Sequence, residues 1–123
     1  MENKLTIQQM KKVTGLSAHT LRYYEKIGLL TNVCRDANGY RSYSNEDIAW
    51  LEFLLRLKET GMPLAQIKLF ADLRSKGEST VKERRILLEQ HEKEVSAKIK
   101  ELKMNLKSLS EKINYYKDLE NNS

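Results

Sequence analysis

Thr6-Ile7-Gln8-Gln9-Met10-Lys11-Lys12-Val13-Thr14-Gly15-Leu16-Ser17-Ala18-His19-Thr20-Leu21-Arg22-Tyr23-Tyr24-Glu25-Lys26-Ile27-Gly28 holds two helix starts and two helix stops in quick succession. Thr6 is placed to cap the free N–H groups of a first turn, and Gln9 three residues on gives the capping-box spacing. Leu5 before the cap and Met10 after it occupy the positions of a hydrophobic staple. The spacing predicts a helix from Thr6 to about Val13, broken at Thr14-Gly15. Ser17 is then a second N-cap, Ala18 to about Lys26 a second helix, and Gly28 its left-handed stop. Two short helices across a tight glycine-containing turn make a helix-turn-helix unit. Leu16, Leu21 and Ile27 anchor the second helix, which carries a dense set of hydrogen-bonding side chains: His19, Thr20, Arg22, Tyr23 and Tyr24.

Beyond this unit, Asn38-Gly39 is a strong hairpin signal because both residues tolerate positive φ. Val33 to Ser42 therefore reads as a small two-stranded wing, with Arg35 and Arg41 flanking its turn. Ser44 with Asp47 opens a third helix, where Ile48, Leu51, Leu54 and Leu55 recur at helical spacing and Trp50 reads as a packing residue. Gly61 ends it. Met62-Pro63 begins a fourth helix with Leu64, Ile67, Phe70 and Ala71 on its buried face and Gly77 as its close.

From Thr80 to Ser123 the chain has neither Gly nor Pro. Val81, Leu88, Val95, Leu102, Leu109 and Tyr116 recur every seven residues, and Ile99, Leu106 and Ile113 fall four after members of that series. These are the two apolar positions of a heptad seam. A single helix of about 40 residues, roughly 60 Å long, follows. Nothing else in a chain of 123 residues buries one side of it, so a partner helix is required. The start of the seam is irregular, with Arg85 and Glu92 where apolar residues stand later, so the first turns are expected to pack on a globular domain. The fold class expected is all-α with a small β-hairpin wing: a winged helix-turn-helix domain over residues 1–76 and a coiled-coil dimerisation helix over 77–123. The dimer seam proper is Val95, Ile99, Leu102, Leu106, Leu109, Ile113 and Tyr116.

Charge is unevenly distributed. Residues 1–76 carry 12 Lys/Arg against 8 Asp/Glu, whereas residues 77–123 carry 10 against 9, within a total of +5. The excess lies where a polyanion would be met. The polar start Met1-Glu2-Asn3-Lys4 does not read as a secretory leader, no apolar run is long enough for a bilayer, and the single Cys34 forms no intrachain disulfide. A cytoplasmic protein is expected. One Cys and two separated His make no soft-metal set, and no cofactor motif is present. There is also no nucleophile–base pair and no phosphate-cradling glycine loop, which argues against an enzyme.

A recognition helix in a major groove presents three or four side chains to base edges. Ser17, His19, Thr20 and Arg22 are in place for that role, Tyr23 and Tyr24 for phosphate contacts, and Arg35, Asn38, Tyr40 and Arg41 for contacts from the wing. The alternative for either tyrosine is a place in the domain core. A homodimer on double-stranded DNA is the reading favoured by the clustered arginines and tyrosines. The alternative is a coiled-coil adaptor whose small domain binds protein.

The segments Leu21-Arg22-Tyr23-Tyr24-Glu25-Lys26-Ile27-Gly28-Leu29-Leu30, Asn38-Gly39-Tyr40-Arg41-Ser42-Tyr43 and Leu57-Lys58-Glu59-Thr60-Gly61-Met62-Pro63-Leu64 resemble the MerR family of transcription regulators along essentially the whole chain. The resemblance implies an antiparallel coiled coil, and a second wing near Lys58 that touches phosphate. It implies a pseudo-palindromic promoter site that is bent and untwisted in response to an effector or stress, so that RNA polymerase is served as activator or repressor. The effector is not named by the sequence. The metal-sensing members' cysteines are missing here. The subgroup responding to aldehydes and thiol stress is similar along residues 47–73, but this chain has no cysteine in the third helix. Cys34, in the wing beside Arg35, reads either as an electrophile-sensing thiol or as a bystander.

Overall fold

A computed structural model of the chain describes residues 4–123; the polar start Met1, Glu2 and Asn3 lies outside the described residues. The elements run β1 (Leu5–Thr6), α1 (Ile7–Thr14), α2 (Ala18–Lys26), β2 (Cys34–Arg35), β3 (Arg41–Tyr43), α3 (Asn45–Glu59), α4 (Leu64–Ser75), a 3-10 turn (Gly77–Thr80) and α5 (Val81–Asn121). The chain divides into two compact units at Leu87/Leu88, so the first two turns of α5 fall in the first unit.

The caps form where the sequence places them. Thr6 Oγ1 accepts from Gln9 N at 3.2 Å while Gln9 Oε1 accepts from Thr6 N at 2.8 Å. Ser44 and Asp47 repeat the arrangement at the start of α3, at 3.2 and 2.9 Å. Ser17 Oγ accepts from Thr20 N at 3.0 Å to open α2. Pro63, expected inside the first turn of α4, stands at the N-cap with extended backbone. Its ring fixes φ near −65° and it has no N–H to leave orphaned, so either position suits it.

The sheet has one strand more than expected. β1 pairs antiparallel with β3 (Leu5↔Tyr43, Thr6↔Ser42), and β2 pairs with the other edge of β3 (Cys34↔Ser42, Arg35↔Arg41). Two residues carry no readable alternation, which is why β1 is silent in the sequence. The wing turn also differs. Gly39 takes positive φ (82°) but Asn38 does not. Asp36 Oδ1 instead gathers the N–H groups of Asn38 and Tyr40 at 2.9 and 3.0 Å, an Asx turn that holds the loop without a left-handed Asn.

Met10, Leu21, Leu30, Tyr43, Leu51 and Leu54 are fully buried. Trp50 joins them: its indole N–H donates to the Leu29 carbonyl at 2.7 Å, and its ring stacks on Phe70 at 5.8 Å. Ile48 and Leu55 are half-buried. Leu64 departs from expectation at 55% exposed, while Leu57 and Met62 are buried. At the first position of α4 a side chain overhangs the helix end, beyond the stripe set by Ile67, Phe70 and Ala71.

In the second unit every residue from 96 on is exposed. Val95 is half-buried, and the seam side chains after it stand bare in the single chain, from 48% for Ile99 to 66% for Leu102. His91, beside the seam, is buried. No helix of the described residues is long and apolar enough to cross a membrane.

Tyr43 generates a test. Its hydroxyl is buried with no hydrogen-bond partner among the described residues. Burial pushes its pKa above the ordinary value; Glu25 and Asp47 add to that, and Arg41 and Arg22 oppose it. The folded state therefore favours the protonated phenol. Its contribution to stability is complete below about pH 10, the unfolded value, and is lost as pH rises through that value toward the raised one. Tyr43→Phe is expected to leave stability at pH 7 unchanged or higher in urea unfolding, and to lessen the alkaline loss. A fall of about 2 kcal/mol at pH 7 would mean that the hydroxyl is bonded after all.

Candidate nucleic-acid interface

α2 buries Leu21 and Tyr24 and turns His19, Arg22, Tyr23 and Lys26 outward. Those four follow i, i+3, i+4, i+7 spacing and so form one face of the helix. Lys26 adds a cation to the residues expected at the site, and its place seven residues after His19 is the signal for it. Ser17 and Thr20, expected to read bases, are engaged with each other: Ser17 Oγ donates to Thr20 Oγ1 at 2.9 Å and also caps the helix. Of the four side chains expected to read bases, His19 and Arg22 are the two on the outward face of α2.

Tyr23 and Tyr24 separate into the two alternatives left open by the sequence. Tyr23 is exposed, and Tyr24 at 5% exposure belongs to the core. The Tyr24 hydroxyl accepts from Lys58 Nζ at 3.4 Å, which ties the exposed Lys58 near the end of α3 to the recognition helix. Lys58 is thereby carried to the same side of the domain as Tyr23, next to an apolar cleft of about 280 Å³ shared by Tyr23, Tyr24, Lys58 and Leu64.

The wing holds its cations more firmly than a solvated hairpin would. Arg35 Nη1 donates to the Gly39 carbonyl at 2.8 Å, bracing the turn from within. Arg41 is half-buried rather than free. Its Nε donates to Glu25 Oε2 of α2 at 2.6 Å, a charge-assisted bond between wing and recognition helix. Asn38 and Tyr40 are exposed at the tip. Cys34 is exposed too, with Lys4 Nζ donating to its sulfur at 3.9 Å. Arg22, Arg35 and Arg41 line one cleft of about 380 Å³, with Gln8 from the start of α1 and Tyr40 from the wing. Three arginines against the one lining carboxylate, Asp36, leave a concave surface of net positive charge, of the kind that receives a sugar–phosphate backbone. Glu25, which organises it, gave no signal beyond an ordinary acidic residue on a polar helix face.

The chain matches the family model described as MerR HTH family regulatory protein over residues 5–73, and the model described as MerR, DNA binding over residues 48–112. It is 46% identical over 102 residues to an uncharacterised HTH-type transcriptional regulator of Haemophilus influenzae, spanning 83% of this chain and 76% of that one. It is 38% identical over 84 residues to the HTH-type transcriptional regulator AdhR of Bacillus subtilis, spanning 68% of this chain and 60% of that one. Among solved structures it is similar, at TM-score 0.85 and 41% identity, to HiNmlR, a MerR family regulator lacking the sensor domain, bound to promoter DNA; the match covers 94% of this chain and 92% of that chain.

Arg22→Ala is expected to weaken DNA binding about tenfold, measured by mobility shift. If Arg22 reads a base, the loss falls on one target position; if it holds a phosphate, the loss is uniform across sequences. Equal affinity for mutant and parent would remove Arg22 from the interface.

Proposed function

The chain belongs to the MerR family of helix-turn-helix regulators, and on that premise we propose that it is a sequence-specific, DNA-binding transcription regulator acting as a homodimer. The observation that carries this is the shared cationic face: His19, Arg22, Tyr23 and Lys26 on α2, with Arg35 and Arg41 from the wing beside them. Its match to a relative bound to promoter DNA, over nearly the whole chain, supports the same reading. α2 enters the major groove with His19 and Arg22 toward base edges. Tyr23, Lys58 and the wing residues Arg35, Asn38 and Tyr40 meet phosphate and sugar on either side.

Two copies join along Val95, Ile99, Leu102, Leu106, Leu109, Ile113 and Tyr116, in antiparallel fashion. The bare apolar seam on α5 supports the pairing, since a surface of that extent is withdrawn from water when a second helix covers it, and the antiparallel direction follows from the family resemblance. A two-fold dimer places two reading heads on one duplex and so selects a pseudo-palindrome. Bending and untwisting of the DNA between the half-sites then sets how RNA polymerase meets the promoter. Residues 1–76 supply the reading head and 77–123 the coupling rod.

Two measurements test this. Leu102→Glu or Leu106→Glu is expected to dissociate the dimer in sedimentation and to abolish high-affinity binding to a two-half-site duplex; an intact dimer would mean that the seam is misassigned. Binding to duplex DNA is expected to weaken by a factor of about 10³ or more between 50 and 200 mM salt as condensed counterions are released. Affinity insensitive to salt would favour a small domain that binds protein instead.

A further inference from the structure

Arg35 and Arg41 are direct cross-strand partners in the wing, so two guanidinium side chains rise from facing positions of one hairpin. Like charges directly opposite each other on a sheet repel. The structure resolves the conflict differently for each. Arg35 turns back onto the Gly39 carbonyl within its own loop, and Arg41 leaves the hairpin to reach Glu25, sixteen residues earlier on α2. The Glu25–Arg41 pair is half-buried, with side chains 28% and 24% exposed, and its 2.6 Å bond uses the Arg41 Nε alone. Arg22 lines the same cleft as Arg41.

From this geometry we infer that Glu25 is a specificity-determining positioning residue: it locks the wing to the recognition helix through Arg41 and restrains Arg41 from binding phosphate indiscriminately. Glu25 is an anion on a face that meets a polyanion, so it weakens attraction to any duplex. It remains useful because it converts a mobile cation into a fixed one. With Nε held, the Arg41 guanidinium plane is set, and the wing and α2 approach DNA as one rigid body. A target whose groove geometry matches that body makes both sets of contacts, and other sequences make only one. The inference rests on the DNA-binding reading given above and adds to it the element that coordinates its two contact surfaces.

The test uses the full chain, a duplex enriched by the wild-type protein from a random pool, and a scrambled duplex of the same composition. In Glu25→Gln the charge of the strut is lost, and a neutral amide oxygen holds the Arg41 Nε–H more weakly. Affinity for the scrambled duplex is expected to rise, and the slope of log affinity against log salt to steepen by about one phosphate contact. The ratio of affinities for enriched over scrambled duplex is expected to fall about tenfold. A merely structural role would lower both affinities together with the melting temperature and leave the ratio unmoved, which would overturn the inference. Glu25→Asp keeps the charge but shortens the reach, and serves if Glu25→Gln does not fold. It is expected to lower the ratio, and an unchanged ratio would again overturn the inference. A wild-type protein that enriches no duplex would sink the DNA-binding reading and this inference with it. Wild-type discrimination that survives both substitutions would sink this inference alone.

Discussion

Three residues, Arg41 to Tyr43, hold the reading domain together. They form the central strand of a sheet so small that its pairing alone would not be stable in water. Stability comes from what each side chain does next. Tyr43 enters the core opposite Leu5, which ties the start of α1 to the wing; Arg41 crosses to Glu25 and ties the wing to α2; and Ser44, the next residue, caps α3. The helix-turn-helix, the wing and the third helix, which share a core, are therefore also tied to one another through a single short strand. The cationic face exists because of that convergence. Its arginines come from α2 and from both wing strands, and no two of Arg22, Arg35 and Arg41 are adjacent in sequence.

The second constraint is thermodynamic. α5 is a 41-residue helix whose seam of Ile, Leu and Tyr side chains is exposed along its length in one chain. Burial of apolar surface contributes about 25 cal/mol per Å², so several half-exposed leucines and isoleucines represent a strong drive toward a second copy. Dimerisation and DNA reading are thereby linked: a helix that pairs also joins two heads, and two joined heads bind one duplex with far higher avidity than either alone.

The long-period features were legible in the sequence. Caps at Thr6, Ser17 and Ser44, the glycine stops and the heptad recurrence each rest on a local rule, and the helices appear where those rules put them. Features set by tertiary contact were not legible. β1 is two residues long and has no period of its own. Tyr24 and Tyr23 are neighbours of identical chemistry, and only the direction of the helix face sends one inward. Leu64 has the composition of a core residue, yet it overhangs a helix end. Arg41 read as a free wing cation because its partner lies on another element; a bond between residues sixteen apart leaves no spacing signal. The residues of the face were thus largely identified, and the way they are held was not.

Hydroxyl-radical footprinting of side chains, with and without a duplex selected by the protein itself, tests the central claim most directly. His19, Tyr23 and Tyr40 are exposed and readily labelled, and they lie on the α2 face and at the wing tip, whereas Tyr115 and Tyr116 lie on α5. DNA is expected to protect the first three and to leave Tyr115 and Tyr116 as they were. Unchanged labelling of His19 and Tyr23 on a fully bound duplex would contradict recognition through α2.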